Sequence, residues 1–231
     1  MLIGLYGKKQ SGKSTSAKYL KEQILQIRGQ SDSLVQIVNF ADSLKEMIHN
    51  LFGVPLNILN GTDEEKNTPF LLKNAKVKEF QVAFHDFITA DMELKMWETN
   101  TVKVSPRKLM EWVGFICRAV NQECFINATM QKINNADHTI IADVRMENEV
   151  RAILQHGGWV IYLDRNKSVS SSVPSEQASS DTLLAIATEL NTNKTVYIPN
   201  EDRDIEDRNY HLDVFIKENI QPSDDHLGIY K

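Results

Sequence analysis

The sequence GKKQSGKS at residues 7–14 is the feature that most constrains the fold of this 231-residue chain. It matches the pattern G-x-x-x-x-G-K-[ST] at every fixed position. The apolar run Leu2–Tyr6 precedes it and is typical of a buried strand, and residues 14–26 follow with apolar side chains at helical spacing and no Pro or Gly. Because a strand-to-helix turn of this kind presents backbone N–H groups at the positive end of a helix, the segment predicts a phosphate-binding loop.

The same pattern predicts what individual loop residues do. Lys13 is expected to lie exposed at the mouth of the loop and to reach the β- and γ-phosphates of a nucleoside triphosphate, and the Ser14 hydroxyl is expected to help hold Mg²⁺. The residues expected to contact ATP are Gln10, Ser11, Gly12, Lys13, Ser14 and Thr15. The loop therefore predicts a protein that binds a nucleoside triphosphate together with Mg²⁺.

Composition and charge exclude several classes of protein. Hydrophobic residues make up 42% and charged residues 25% of the chain, values that are ordinary for a soluble globular protein. The net charge of −5 argues against a general nucleic-acid or membrane-surface binder, although a few converging cations suffice for a phosphate site. The length leaves room for one α/β domain, with or without an inserted flap.

Cysteine usage and the first residues of the chain predict its compartment. Cys117 and Cys124 form neither a disulfide framework nor a metal-binding set, which favours a reducing environment. The chain leads straight into the predicted first strand without the features of a signal peptide, and no apolar run is long enough to span a bilayer. We therefore expect a soluble cytoplasmic protein with no membrane partner.

The predicted strands and helices alternate along the chain. The five strand candidates are Leu2–Tyr6, Leu34–Phe40, Thr139–Ala142, Trp159–Leu163 and His211–Ile216. Helical patterns separate them, which predicts a three-layer α/β fold with a five-stranded parallel sheet and helices on both faces. Ligands of such sheets gather at the carboxyl ends of the strands. The phosphate loop, Asp42, Asp143 and Arg145 are therefore expected along one rim.

A helix is predicted at residues 44–52, with Asp42 or Ser43 as its cap and Gly53 as its stop. Lys45 lies in its first turn, where the helix dipole does not favour a cation. A bound anion close by would explain the lysine, and so would simple solvation of its ammonium group.

A second helix is predicted to begin at Pro106, with Ser105 as its cap and Arg107 in its first turn. Again a cation lies at the positive end of a helix, which favours an anion nearby. Asp143, at the end of a predicted strand, could orient a metal-bound water or hold Arg145 in place, or it could be the cap of the following helix.

Two regions lack a clear pattern of regular structure. Residues 69–104 fit two helical pieces, or a helix and a strand pair, equally well. Residues 166–181 are rich in serine, and residues 201–208 carry charges of both signs. Together they predict a lid at about residues 165–210 that closes over bound substrates, with a surface insertion of no function as the alternative. The candidate cations of this lid are Arg165, Arg203 and Arg208.

The phosphate loop occurs in several classes of protein, and the rest of the sequence distinguishes among them. A GTPase would carry an N-K-x-D segment, which is absent, and a motor ATPase would need a longer apolar strand ending in Asp-Glu. A small-molecule kinase remains, and it needs a second phosphate site because phosphoryl transfer relies on positioning and charge neutralisation. The cations that follow strand ends or open helices are Lys9, Lys45, Arg107 and Arg145.

Separated blocks of the sequence resemble the phage-type deoxynucleoside monophosphate kinases in their order and spacing. The blocks are residues 7–14, FADSLK at 40–45, residues 61–66, RKLMEWVG at 107–114 and residues 143–149. The resemblance implies a single P-loop kinase domain over residues 1–231, with a helical acceptor-binding region at about 42–135. It also implies transfer of the γ-phosphate of ATP, with Mg²⁺, to a deoxynucleoside 5′-monophosphate for DNA precursor synthesis, in the host cytoplasm if the protein is encoded by a phage.

The resemblance also implies roles for individual residues. Lys13, Asp143 and Arg145 are expected to be catalytic. The residues expected to approach the monophosphate are Lys9, Leu44, Lys45, Lys66, Arg107, Gly114, Phe125, Asp143, Arg145 and Glu149, with Phe125 as the aromatic that helps hold the base. The chain departs from the family at Gln10, where an arginine is common, which puts one ATP contact in doubt. It departs again at Ser14, where an aspartate is common, and the serine restores the usual magnesium-binding form of the loop.

Two other functions stay open at the level of sequence. One is another P-loop small-molecule kinase, acting on a metabolite phosphate or a coenzyme precursor, and the other is a nucleotide-binding regulatory module without turnover. A pure binder has no need of a second cationic site, which argues against the regulatory module. The sequence does not reveal which bases are accepted, and it leaves a homodimer open.

Overall fold

A computed structural model of the protein describes residues 1–8, 10–28, 34–72, 85, 102–133, 137–164, 178–199 and 205–220. The chain forms two compact units. Unit 1 consists of Met1–Phe40 and Ile126–Lys231, and unit 2 is the continuous segment Ala41–Phe125. The predicted extent of a kinase domain over residues 1–231, with an acceptor-binding region at about 42–135, stays a prediction.

Helices and strands follow one another along the whole described chain. In chain order they are β1 (Leu2–Tyr6), α1 (Lys13–Arg28), β2 (Val35–Val38), α2 (Asp42–Phe52), α3 (Leu56–Leu59), α4 (Asp63–Asn67), β3 (Phe70–Leu72), β4 (Val102–Val104), α5 (Pro106–Val120), α6 (Cys124–Ile133), β5 (His138–Val144), α7 (Glu147–Gln155), β6 (Trp159–Asp164), α8 (Ser180–Glu189), β7 (Thr195–Pro199) and α9 (Ile205–Asn219).

The centre of unit 1 is a five-stranded sheet in the order β2-β5-β1-β6-β7. All four strand pairs are parallel. β1 lies in the middle, with Ile3 opposite Ile140 of β5 on one side and opposite Trp159 of β6 on the other. The parallel sheet with its flanking helices confirms the predicted three-layer α/β fold, which is the arrangement of P-loop kinases.

Side chains of β1 alternate between two apolar cores, as the period of a strand requires. Ile3 and Leu5 belong to one core, where α1 and α9 cover the sheet. Leu2 and Tyr6 belong to the other, where α7 and α8 cover it. Helices therefore flank both faces, and β1, buried along its full length, leads directly into the predicted phosphate-binding loop.

The predicted fifth strand is wrong. Residues His211–Ile216 lie inside α9, and the strand at that edge of the sheet is β7, which pairs with β6. The apolar residues of the segment that are buried are Leu212, Phe215 and Ile216, whose spacing of three and four residues is that of one helix face. The β-rich run Thr195–Pro199 was overlooked in its place.

Unit 2 packs its helices around an apolar core of its own, which includes Leu44, Ile48 and Leu109. α2 begins at Asp42, and its N-cap is Ala41 with no side-chain hydrogen bond, so the predicted cap at Asp42 or Ser43 is wrong. The predicted stop is confirmed, because Gly53 adopts a left-handed φ of 70° and donates its N–H to the carbonyl of His49.

Regular structure at the borders of residues 69–104 is a strand pair. β3 and β4 are antiparallel, with Phe70 opposite Val104. Within this region residues 73–84 and 86–101 lie outside the described residues.

The predicted lid at about residues 165–210 falls only partly on the described chain. Residues 165–177 and 200–204, with Arg165 and Arg203, lie outside it. Between them α8 and β7 are parts of unit 1, and Arg208 is buried on α9. The lid stays a prediction.

The structure also bears on the cysteines and on membrane association. Cys117 and Cys124 are both free thiols, half-buried in unit 2. No helix among the described residues combines the length and the hydrophobicity needed to cross a bilayer.

Candidate functional site

The loop between β1 and α1 has the backbone geometry that its glycines make possible. Gly7, Gln10 and Gly12 have φ angles of 154°, 64° and 91°, all positive. A Cβ at Gly7 would lie only 2.8 Å from the carbonyl oxygen of Leu163 on β6. Gln10 accepts a conformation that costs a residue with a side chain roughly 1–2 kcal/mol. Lys9 lies outside the described residues.

Lys13 is not exposed at the mouth of the loop, contrary to the prediction, because only 7% of the residue is accessible. Its ammonium group donates hydrogen bonds to the carbonyl oxygens of Gly7, at 2.5 Å, and of Lys8, at 2.6 Å. The charge is thus held inside the loop by backbone oxygens. Phosphate oxygens would compete for the same ammonium, since they carry negative charge and the carbonyl oxygens carry none.

The first turn of α1 follows the loop directly. Ser14 and Thr15 are exposed there, whereas Ser11 is buried. No acidic side chain occupies this turn of the 16-residue helix, so nothing on the helix itself neutralises its positive end. The turn is therefore chemically suited to an anion, and the exposed Ser14 hydroxyl is suited to a hard cation bound with that anion.

Asp143 lies at the carboxyl end of β5 and connects it to the neighbouring strand. Its Oδ1 accepts a hydrogen bond of 2.7 Å from the backbone N–H of Phe40, which follows β2. It is not a helix cap, because the N-cap of α7 is Met146, so that alternative is wrong. Asp143 fixes the spacing of two strand ends at the edge of the sheet where β1 gives way to the loop.

Glu149 holds the backbone around Arg145. Its Oε2 accepts the N–H of Arg145 at 2.7 Å and the N–H of Met146 at 3.0 Å, and the residue is 8% exposed. A carboxylate in this position satisfies backbone donors at the start of α7 and complements the helix dipole. A structural role for Glu149 is therefore visible, and its predicted contact with a monophosphate stays a prediction.

Two buried tyrosines near the loop were missed by sequence reasoning. The Tyr6 hydroxyl accepts the N–H of Ser179, and the Tyr162 hydroxyl donates to the carbonyl of Ala178, at 3.3 and 3.4 Å. Their ring centroids are 5.5 Å apart. Burial raises the pKa of both hydroxyls. The pair joins β1 and β6 to the residues that lead into α8, and the only signal in the sequence is their position at strand ends.

In unit 2 three of the predicted site residues lie together. A Cβ at Gly114 would lie 3.2 Å from Leu44 Cδ2 and 3.2 Å from Arg118 Nη1. The guanidinium carbon of Arg118 lies over the ring of Phe125, 5.0 Å from its centroid. Arg118 was not predicted, although its place one turn after Gly114 on α5 put it on the same helix face.

The predicted phosphate-binding cations of unit 2 have partners of their own. Lys45 Nζ lies 3.3 Å from Asp42 Oδ1. Arg107 donates from Nε to Asn67 Oδ1 at 2.9 Å and from Nη2 to Asp63, which ties the start of α5 to α4. Lys66 lies in the last turn of α4 and is half-buried.

The start of α5 is as predicted. Ser105 is the N-cap and accepts the N–H of Lys108, and Pro106 is the first helical residue. The predicted site residues therefore fall into two groups. Lys13, Asp143, Arg145 and Glu149 belong to unit 1, and Leu44, Lys45, Lys66, Arg107, Gly114 and Phe125 belong to unit 2.

Comparison with known proteins yields one informative likeness. No known family model matches the sequence. A protein of Acanthamoeba polyphaga mimivirus, provisionally named deoxynucleotide monophosphate kinase, is 25% identical over 211 residues, which are 85% of this chain and 90% of that protein. The likeness extends over most of both chains.

Proposed function

We propose that the protein is a kinase that transfers the γ-phosphate of ATP, bound with Mg²⁺, to the 5′-phosphate of a deoxynucleoside monophosphate. The observation that carries the proposal is the loop between β1 and α1, where Lys13 lies among backbone groups at a helix N-terminus free of acidic side chains. The provisional name of the viral relative agrees with it.

The donor belongs to unit 1. Backbone N–H groups of residues 10–15 would hold the β- and γ-phosphates, and Lys13 would turn from the carbonyls of Gly7 and Lys8 to the phosphate oxygens. Ser14 supplies a hydroxyl on the first turn of α1, which fits Mg²⁺ bound mainly through phosphate oxygens and water. The metal would neutralise charge on the transferring group.

The acceptor would be held by cations and an aromatic ring. Arg107, Lys45 and Lys66 are the candidates for its phosphate, and Phe125 is the candidate for its base. Arg145 would neutralise charge during transfer, and its backbone is fixed by Glu149. Asp143 would act as a positioning residue. Its hydrogen bond to Phe40 joins the ends of β5 and β2, and Arg145 follows the end of β5 directly.

The reaction itself needs no covalent step on the protein. An oxygen of the acceptor phosphate forms a bond to the γ-phosphorus while the bond between that phosphorus and the β–γ bridging oxygen breaks, which releases ADP. Catalysis of this step relies on alignment and on cations around the transferring phosphoryl group. The predicted site residues supply such cations, with Lys13 and Arg145 in unit 1 and Lys45, Lys66 and Arg107 in unit 2.

A substrate panel tests the proposal. The protein is incubated with ATP, Mg²⁺ and single monophosphates, covering four deoxynucleotides, four ribonucleotides and several metabolite phosphates, and ADP release is recorded. We expect ADP and a deoxynucleoside diphosphate with at least one deoxynucleotide. ADP release with a metabolite phosphate alone would indicate another small-molecule kinase, and nucleotide binding with no ADP release would indicate a regulatory module.

A further inference from the structure

Arg118 occupies an unusual place in unit 2, because its charge rests on an aromatic ring and not on a carboxylate. The residue is half-buried in the last turn of α5, with its guanidinium over the Phe125 ring and beside Gly114. In the part of the chain that the structure describes, no protein group accepts a hydrogen bond from Arg118 or forms an ion pair with it.

The surroundings hold this guanidinium in place while leaving its donors available. A contact with a ring uses the charge of the group and none of its five N–H donors. Phe125 is 7% exposed and Leu44 is 5% exposed, so the platform beneath Arg118 is apolar and fixed. Gly114 leaves room for Nη1, since a Cβ at that position would lie within 3.2 Å of it. Such a guanidinium can donate two parallel hydrogen bonds to a ligand that has two neighbouring acceptors.

We propose that Arg118 contacts the base of the acceptor nucleotide and selects guanine by donating two parallel hydrogen bonds to its O6 and N7. The inference rests on the proposed kinase function and names the base that the site prefers. Guanine alone presents two adjacent acceptors on this edge, whereas adenine and cytosine present an amino group and thymine presents a single acceptor. Phe125, the aromatic expected to help hold the base, would then do so by supporting Arg118, because the guanidinium covers its buried ring.

A phosphate is the other ligand that a guanidinium binds in this way, and the position of Arg118 disfavours it. Helical side chains lean toward the N-terminus, so the guanidinium lies at the level of Gly114, roughly 10 Å along the axis from Arg107 at the start of α5. Arg107 and Lys66 lie at that other end. Two of the three cations assigned to the phosphate, Arg107 and Lys66, are thus separated from Arg118, whereas Lys45 follows Leu44, which lies beside Gly114.

Calorimetric binding in the absence of ATP tests this assignment. The ligands are deoxyguanosine monophosphate, its 7-deaza analogue, which lacks the N7 acceptor, and deoxyadenosine monophosphate. The proteins are the wild type, Arg118→Gln, Arg118→Lys and, as a control, Lys108→Gln, which removes an exposed cation of the same helix. Circular dichroism checks that each variant is folded.

The wild type and the control should bind deoxyguanosine monophosphate about tenfold or more tightly than the other two ligands. Arg118→Gln should lose that preference, and so should Arg118→Lys, because a lysine is a point charge and not a fork. Arg118→Lys keeps a cation over Phe125, so it decides the matter if the glutamine variant fails to fold.

Several results would overturn the assignment. An equal loss for all three ligands would place Arg118 on the phosphate, and an unchanged preference would leave it as a structural residue at the end of α5. A wild type that binds monophosphates without preferring guanine would also contradict it, with the kinase proposal intact. Absence of binding for all three ligands would also overturn this inference, and the substrate panel with ATP then decides the kinase proposal separately.

Discussion

At the scale of single residues, Lys13 combines its proposed role in phosphate binding with hydrogen bonds inside the folded loop. Its position in the sequence predicts contact with phosphate, but its ammonium is bonded to the carbonyls of Gly7 and Lys8 inside the protein. Removing it takes a donor from both carbonyls, although the carbonyl of Lys8 still accepts the N–H of Ser11. Two consequences, one for catalysis and one for folding, can therefore be separated by the choice of substitution.

We expect Lys13→Ala to lower kcat by about a hundredfold or more, because one fixed donor to the transferring group is lost. It should also lower the free energy of unfolding by about 1–3 kcal/mol, through the hydrogen bonds that the ammonium no longer donates. Lys13→Met retains most of the apolar stem and should be less destabilised while equally inactive. Steady-state kinetics and urea unfolding measure the two effects.

Lys18→Ala is the matched control for both measurements, since Lys18 is an exposed cation of the same helix. It should change stability by no more than about 0.5 kcal/mol and leave kcat unchanged. Near-normal turnover in the Lys13 variants would contradict the assignment of the phosphate loop.

At the scale of helices and strands, α1 and α9 share an apolar core and are also joined by a hydrogen bond. The Tyr19 hydroxyl donates to Asp213 Oδ1 at 2.8 Å. Burial, and then the Asp213 carboxylate, raise the pKa of Tyr19 from 10.0 to about 12. The folded protein therefore keeps this proton at pH values where the unfolded chain has lost it, so stability falls as pH rises between those two values.

Replacing Tyr19 by phenylalanine should make stability less dependent on pH across that alkaline window. At neutral pH we expect a loss of about 0.5–1.5 kcal/mol from the missing hydrogen bond. Above the window the difference from the wild type should shrink. Urea unfolding at a series of pH values measures this, with Tyr210→Phe, an exposed tyrosine of α9, as the control. An unchanged slope would mean that other groups, such as Tyr6 and Tyr162, account for the alkaline loss.

The start of α5 yields a prediction about the acceptor. Arg107→Ala should raise the KM for the monophosphate about tenfold or more while the KM for ATP stays near its wild-type value. Arg107→Lys should be impaired as well, because a lysine lacks the planar fork whose Nε and Nη2 atoms reach Asn67 and Asp63 separately.

Asn67→Ala separates binding from structure at this position. It removes one partner of the guanidinium and leaves the charge in place, so a purely structural role of Arg107 predicts the same defect in both variants. If the KM for ATP rises alone, Arg107 belongs with the donor and the assignment of the cations is wrong.

The elements also show where local sequence signals suffice. Ser105, Pro106 and Gly53 have chemistry that specifies a helix start or stop, and the structure places helix ends there. The segment His211–Ile216 was predicted as a strand, and its apolar residues Leu212, Val214 and Ile216 do alternate along the sequence. In the structure it is a helix, whose buried residues share an apolar core with α1. Nothing in the neighbouring sequence indicates that Leu212 and Phe215 pack in the core that includes α1.

At the scale of the whole molecule, ligand binding should raise the free energy of unfolding, because the ligand binds only the folded protein. Saturating ATP with Mg²⁺, at about 100 times its Kd, should add about 2.7 kcal/mol to the free energy of unfolding. For a protein of this size that amounts to a rise in Tm of roughly 5–10 °C. Thermal unfolding should show the rise in the wild type and in Lys18→Ala, and not in Lys13→Met.

Chelation of the metal provides the second arm of that experiment. With excess EDTA the rise in Tm should become smaller, because ATP without Mg²⁺ carries more negative charge than Lys13 alone can neutralise and should bind less tightly. Turnover should stop. A rise that is the same with and without EDTA would contradict the metal assignment at Ser14 and leave nucleotide binding in place.

The sequence predicts the fold further than it predicts the site, for a physical reason. A strand, a turn and a helix around Gly7 and Gly12 are set by neighbouring residues, so the class of the sheet follows from pattern. The burial of Lys13 depends on carbonyl directions in a folded loop, and the contact of Arg118 with Phe125 depends on how the chain turns after α5. Leu44, Gly114 and Phe125 were singled out by resemblance, but no pattern showed that Arg118 lies among them.

The strand order has a consequence for how the chain is made. β1 leaves the ribosome before the other described elements, yet both of its neighbours, β5 and β6, follow the whole of unit 2 in the chain. Its two edges therefore stay unpaired through most of synthesis, which exposes them to wrong pairing. Unit 2 is continuous and is complete once Phe125 has been added. We therefore expect unit 2 to form before β1 is paired on both of its edges.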